Sequence, residues 1–233
     1  MTTIHFRAED GSGEFAAYIA LPDKLPAPAI VVIQEIFGVN ADMRAKCDDF
    51  AKKGYVAVCP DLFWRQQPGV ELTDKTKAEW DRAFALMNAF DIGKGVDDLI
   101  AAVEAIRVSK ECNGKVGAVG YCLGGKLAYL LSARSDIDAS VGYYGVALDT
   151  LLAESGGIKT PLMLHIAELD KFSTPDARDK VVAHFRDSKQ VQTFVYPGVD
   201  HAFARREGDH YDAHAANLAN ARTDDFFARN LKD

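Results

Sequence analysis

Residues 29–33 read Ala-Ile-Val-Val-Ile, an apolar run without polar alternation. A strand of that composition has to be buried on both faces, as in a parallel sheet. Such a sheet needs helices above and below it, and the chain supplies both kinds of segment in alternation. Strands are predicted at residues 15–21, 29–34, 55–59, 115–120, 139–144, 161–167 and 191–196, and helices at 41–53, 93–107, 123–134, 175–186 and 211–229. Within 93–107, Val96, Leu99, Ile100, Val103 and Ile106 share one helical face. Gly54 stands where a helix-terminating glycine belongs. The pattern predicts an α/β protein with a mostly parallel central sheet flanked by helices on both faces. No repeat, low-complexity tract or linker interrupts it, so residues 1–233 read as a single domain.

Composition narrows the class. With 48% hydrophobic residues, burial can offset the entropy of ordering the chain, which excludes a disordered protein. A formal charge of −7 disfavours nonspecific binding to nucleic acid or anionic membranes. No apolar run approaches the roughly 20 residues that a membrane helix requires. The four cysteines, Cys47, Cys59, Cys112 and Cys122, include no C-x-x-C pair, which argues against a zinc knuckle or a thioredoxin-type couple. The opening residues lack the apolar core of a signal peptide. The expectation is a soluble, cytoplasmic, monomeric protein whose thiols stay reduced.

The strongest chemical signal is Gly120-Tyr121-Cys122-Leu123-Gly124-Gly125, a G-x-S-x-G nucleophile elbow with cysteine in place of serine. Such an elbow demands a very tight strand-to-helix turn, which small neighbours keep free of clashes. The predicted strand at 115–120 and helix at 123–134 supply that context. A thiolate at a helix N-terminus is favoured by the exposed N–H groups and the helix dipole. The bland alternative is a glycine-rich turn holding an inert cysteine, the reading given to the other three. In elbow enzymes the partners follow in the order nucleophile, acid, histidine. Asp170 lies just past the strand at 161–167, and His201 just past the strand at 191–196. Parallel-sheet sites gather at strand carboxyl ends. Either residue alone would be an ordinary loop residue. Together with Cys122 they form a candidate triad in which an oriented base takes the thiol proton.

The loop Gln34-Glu35-Ile36-Phe37-Gly38 leaves the strand at 29–34. In α/β-hydrolases the corresponding loop gives one oxyanion-hole N–H, and the residue after the nucleophile gives the other. Those are Ile36 and Leu123. Glu35, an acid directly after a buried run, reads equally as a bystander or as a chemical group. Arg205, close to His201, is a candidate for a charge-assisted fork to an anionic substrate, whereas Arg206 reads as a surface cation. His165, inside an apolar strand, reads as a hydrogen-bonded core residue. His210 and His214 share a helical face but lack the glutamate and third ligand of a zinc site, so no metal is expected.

Gln34-Glu35-Ile36-Phe37-Gly38-Val39-Asn40, Cys59-Pro60-Asp61-Leu62, the elbow, Val141-Gly142-Tyr143-Tyr144-Gly145 and His201-Ala202-Phe203-Ala204-Arg205 together resemble the dienelactone hydrolase (carboxymethylenebutenolidase) family, from about residue 15 to the final helix. The resemblance implies an α/β-hydrolase fold and a carboxylic ester hydrolase that opens enol-lactone rings in the bacterial degradation of aromatic compounds, without a cofactor. It implies that Cys122, Asp170 and His201 are the triad and that Glu35 exchanges a proton or hydrogen bond with the thiol. It also implies that Arg205 binds a substrate carboxylate, with Phe37, Trp80, Phe84 and Tyr144 among the substrate contacts.

The chain departs from the family pattern where specificity is set. Trp80, Phe84 and Met87 stand where dienelactone-cleaving members resemble one another in an arginine, a tyrosine and a tryptophan, and Ala202 replaces a serine. Arg82 could stand in for the arginine if the helix register differs. The implied reaction forms a thioester on Cys122 that water hydrolyses, the substrate being a small, anionic lactone or ester. Two rivals stand beside it. One is a carboxylesterase or thioesterase of the same fold acting on a neutral ester. The other is a non-catalytic ligand or redox sensor, which would need neither Asp170 nor an oxyanion loop.

Overall fold

A computed structural model describes residues 2–232; Met1 and Asp233, the two ends of the stretch read as one domain, lie outside the described residues. The chain packs as two compact units, Met1–Ala118 and Val119–Asp233. The first contains β1 (Thr3–Arg7), β2 (Glu14–Ala20), β3 (Ala27–Ile33), α1 (Ala41–Lys52), β4 (Val56–Pro60), α2 (Lys77–Asn88) and α3 (Ile92–Arg107). β5 (Cys112–Tyr121) begins in the first unit and ends in the second. The second continues with α4 (Leu123–Arg134), β6 (Ala139–Tyr143), β7 (Leu162–Ala167), α5 (Pro175–Phe185), β8 (Val191–Tyr196) and α6 (Ala213–Phe227).

In the first unit the strands are ordered β1-β2-β4-β3-β5. β2 runs antiparallel to β1 and to β4, while β3 and β4 are parallel. Every residue of β3 and β4 is buried, as the unbroken apolar run at 29–33 demands. In the second unit the order is β5-β6-β7-β8, with β6, β7 and β8 mutually parallel. This is the α/β-hydrolase architecture, mostly parallel and flanked by helices.

The predicted strands recur within a few residues of their expected bounds; β1, α2 and the short 3-10 segments Leu148–Thr150 and Leu152–Gly157 are not among the predicted elements. β1 buries only Phe6 fully, and its exposed Thr3, His5 and Arg7 leave no apolar signature. α2 buries only Ala83 and Leu86 fully, with Trp80, Phe84 and Met87 half-buried. Its start was nevertheless written in the chain. Thr76 accepts from the Glu79 N–H, and Glu79 in turn accepts from the Thr76 hydroxyl at 2.8 Å, a reciprocal start signal. Of the five residues assigned to the buried face of α3, Ile100 is only half-buried, and Asp98 is buried instead. Asp98 accepts from Trp64 Nε1 at 2.8 Å and from both Nε and Nη2 of Arg65 at 3.0 and 2.7 Å.

Candidate active site

The second unit places three predicted residues at the exits of β5, β7 and β8. Cys122 lies between β5 and α4 with φ 57° and ψ −114°, a conformation that L-residues rarely adopt. Strain of this kind costs on the order of 1–3 kcal/mol and persists only where surroundings enforce it. The enforcing contacts are visible. The Cys122 N–H donates to the Tyr143 carbonyl at 3.1 Å, and the Lys126 N–H donates to the Cys122 carbonyl at 3.2 Å. A Cβ on Gly120 would sit 1.9 Å from the Gly124 carbonyl oxygen, and one on Gly125 would sit 2.6 Å from that of Tyr143. The elbow therefore closes only with glycine at both positions. Leu123, whose N–H opens the first turn of α4, is buried.

Asp170 follows β7 and His201 follows β8, both buried. Asp170 Oδ2 accepts from His201 Nδ1 at 2.8 Å, and Asp170 Oδ1 accepts from the Phe172 N–H at 2.8 Å. With Nδ1 carrying that proton, Nε2 is the nitrogen available to a neighbour. It makes no well-formed hydrogen bond among the described residues, but the Cys122 sulfur is near enough to act on its charge. Burial opposes protonation of His201. The Cys122 sulfur and the Asp170 carboxylate outweigh burial and lift the imidazole to about 10. The rings of Phe172 and Tyr144 flank it edge-on, with centroids 4.8 and 5.0 Å away.

Backbone strain recurs beside these residues. Tyr144 has φ 38° at the exit of β6, and Ala202, next to His201, has φ 64°. The Tyr144 N–H donates to the His165 carbonyl at 2.7 Å. On the His201 loop the two arginines separate, Arg205 being buried and Arg206 exposed. Sequence reasoning passed over Asp200, which accepts from the His201 N–H at 2.7 Å and the Lys171 N–H at 3.2 Å. An acid directly before a loop histidine was the only hint.

His165 is a core residue with both ring nitrogens engaged, Nδ1 with the Tyr196 hydroxyl at 2.8 Å and Nε2 with Thr223 Oγ1 at 3.0 Å. Burial lowers it to about 3, so it is neutral. His210 Nε2 lies 3.9 Å from Asp200 Oδ2. Among the described residues no group of three or more His, Cys, Asp or Glu is arranged to hold a metal, and no helix is long and apolar enough to cross a membrane.

The first unit holds the other predicted residues. Glu35, Ile36 and Phe37 follow β3 and are all buried. Gln34 braces this loop, donating from Nε2 to the Glu35 carbonyl at 3.3 Å and accepting from the Leu62 N–H at 3.1 Å. Phe37 meets Trp80 edge-on at 5.0 Å, and Trp80 stacks on Phe84 at 5.5 Å. Trp80, Phe84 and Met87 are half-buried at helical spacing on α2. Arg82 is exposed and bonded to Gln67, off that face, so it does not replace the missing cation there.

A buried thiol on a strained turn, an imidazole and a carboxylate, in that chain order, can support nucleophilic acyl transfer. Comparison with known proteins points the same way. The sequence pattern described as Dienelactone hydrolase family matches residues 15–231. A protein of Azospirillum brasilense is 51% identical over 99% of this chain and 100% of its own length. The carboxymethylenebutenolidase of Pseudomonas putida is 43% identical over 97% of this chain and 95% of its own. Among solved structures, the dienelactone hydrolase from Anabaena variabilis superposes with a TM-score of 0.71 at 16% identity, covering 99% of this chain and 98% of that one. At that identity the likeness speaks for the fold alone.

Proposed function

The chain belongs to the dienelactone hydrolase family, a family of carboxylic ester hydrolases, and from that premise we propose that it opens a small anionic enol-lactone through Cys122, His201 and Asp170. The observation that carries this reading is the 2.8 Å bond from His201 Nδ1 to Asp170 in the unit that also holds Cys122 on its strained turn. The bond fixes the tautomer and leaves Nε2 to take the thiol proton.

In the proposed reaction His201, which favours its charged form, holds the proton taken from Cys122, and the thiolate attacks the lactone carbonyl. Collapse of the tetrahedral adduct breaks the ring C–O bond. The enolate departs, needing little acid assistance because resonance stabilises it, and the proton held by His201 then passes to the released product, which leaves the imidazole neutral for the second half-reaction. Water, losing a proton to His201, then cleaves the thioester, releasing the acid and restoring the thiol. The N–H of Leu123, at the start of α4, is positioned by the elbow to meet an oxyanion, and losing one such donor typically costs about 2.7–4 kcal/mol of barrier. The family pattern adds the Ile36 N–H as a second donor, Glu35 as a proton partner of the thiol, and Arg205 and Tyr144 as substrate contacts. Burial of Arg205 suits an arginine that meets a carboxylate away from water.

A neutral ester is the second reading, favoured by the apolar stack of Phe37, Trp80 and Phe84. One experiment separates the two: ring-opening of dienelactone followed by ultraviolet absorbance, beside hydrolysis of a neutral aryl ester, with wild type, Cys122→Ala and Arg205→Ala. Lactone turnover lost in Cys122→Ala and weakened in Arg205→Ala supports the lactonase. Turnover of the aryl ester alone transfers the chemistry to a neutral substrate. Turnover of either that survives Cys122→Ala overturns the triad.

A further inference from the structure

The 2.8 Å bond between Asp170 and His201 joins the loops that follow β7 and β8. Residues 168–173 leave β7, residues 197–202 leave β8, and the register of the loops decides whether the bond forms. Part of that register comes from the backbone. The Leu169 N–H donates to the Val199 carbonyl at 2.9 Å, and the Gly198 N–H donates to Glu168 Oε2 at 2.8 Å. The remainder converges on one side chain. Asp200 Oδ1 accepts at once from the His201 N–H at 2.7 Å and from the Lys171 N–H at 3.2 Å, and Oδ2 meets the Lys171 ammonium at 2.9 Å.

One oxygen thus fastens the backbone of the proposed base itself and the backbone of the residue next to the proposed acid. We propose that Asp200 is a positioning residue, a carboxylate clamp that holds the Asp170 and His201 loops in the register their side-chain bond requires. It touches neither substrate nor the reacting atoms, and its role rests on the triad reading above.

Geometry favours a clamp over an ordinary surface ion pair. The Asp200 side chain is only 15% exposed, whereas Lys171 is 70% exposed, so the ammonium alone would contribute little. The two amide donors are fixed in the loops and cost no side-chain entropy. Hydrogen bonds to an ionised acceptor are about twice as strong as neutral ones. Burial pushes the Asp200 carboxyl up, but the Lys171 ammonium and the two N–H groups outweigh it, and the group is held below the usual carboxylate value. His210 faces the same carboxylate, with Nε2 3.9 Å from Oδ2. Asp200 stays ionised across the neutral range, and the clamp stays closed.

The substitution Asp200→Asn keeps an oxygen for both N–H groups, with the weaker bonds of a neutral acceptor, and loses the attraction to Lys171, whose exposed side chain is free to turn away. Asp200→Ala removes the acceptor altogether. The test measures kcat and KM for dienelactone and for a neutral aryl ester, the imidazole titration of His201 by nitrogen-15 NMR, and thermal stability, in both variants beside wild type and Cys122→Ala. A clamp predicts that Asp200→Ala lowers kcat about 10- to 100-fold with KM little changed. The His201 titration then falls from about 10 towards its ordinary value, and Asp200→Asn recovers a substantial part of both. If Asp200→Ala melts earlier but leaves kcat and the His201 titration intact in the folded protein, the residue is merely structural and the proposal fails. It fails equally if Asp200→Asn is as impaired as Asp200→Ala. The NMR readout needs no substrate, so it judges the clamp even where Cys122→Ala retains turnover and the triad reading falls.

Discussion

The amide of Cys122 donates to the carbonyl of Tyr143 at 3.1 Å, which ties the elbow between β5 and α4 to the exit of β6. The same carbonyl stands 2.6 Å from the position of a Cβ on Gly125, and the Gly145 Cα is 2.9 Å from that position. Bond and close approach are two consequences of one tight crossing of backbones. Gly125→Ala should destabilise the protein by about 2–3 kcal/mol, because backbone cannot yield as a flexible side chain can. Gly156→Ala is the control, with nothing within 4 Å of the added carbon. Urea unfolding should show Gly156→Ala at or slightly above wild type, and equal midpoints for the two variants would refute the close-approach argument.

Asp170→Asn should leave the fold intact and reduce kcat by about 10³- to 10⁴-fold. Asparagine offers Nδ1 no charge and can stabilise the wrong tautomer. Lactone turnover with matched circular dichroism spectra checks this, and a loss under tenfold would mean that Asp170 does not orient His201.

His165 makes stability depend on acid. In the folded chain it titrates at about 3, against 6.5 when exposed. Between those values the unfolded state binds more protons than the folded one. Stability attributable to this residue is therefore complete above about 6.5 and is lost as pH falls towards 3, with a slope of up to about 1.4 kcal/mol per pH unit. His165→Gln keeps polar atoms for Tyr196 and Thr223 without a titrating ring. Its unfolding free energy should fall less steeply between pH 6 and pH 4, about the middle of that window, and an unchanged slope would count against His165.

His201 has the opposite sign. Its folded value of about 10 lies above 6.5, so its contribution is complete below about 6.5 and is lost as pH rises through 10. Cys122→Ala removes the largest cause favouring the charged ring. Comparing unfolding free energies at pH 7 and about pH 9.5, the wild type should lose more stability than Cys122→Ala.

Asp98→Ala should cost about 2–3 kcal/mol. It strips the Arg65 guanidinium and the Trp64 indole of a partner that is 2% exposed. Replacing Asp98 and Arg65 together with Leu and Met should recover part of that loss, since it also removes the guanidinium that Asp98→Ala leaves with Asp10 as its carboxylate partner. A double variant no better than Asp98→Ala would point instead to the Trp64 bond.

Much of the second unit was legible because its signals are local. The strand at 191–196 was read to its ends, and α4 was read to its ends from the elbow that precedes it. Gly120 and Gly125 announced a tight turn, and Asp170 and His201 stood in the required order after strand runs. β1 was hidden because it is short and offers only Ile4 and Phe6 as an apolar signal, and α2 because its apolar residues are spread around the helix rather than gathered in one stripe. The register of α2 was likewise beyond reach, and it determines that Arg82 leaves the face shared by Trp80, Phe84 and Met87.

The sequence alone determined the alternation of strands and helices, the elbow and the identity of the proposed triad, because periodicity and turn chemistry are properties of neighbours along the chain. Only the tertiary structure decided that Asp170 and His201, 31 residues apart, meet at 2.8 Å, that His165 is neutral while His201 is driven towards its charged form, and that Asp200 spans two loops. Those are matters of distance and burial. Hydrogen bonds and charges act through space, and residues far apart in the chain become partners only when strands pair and bring their loops together.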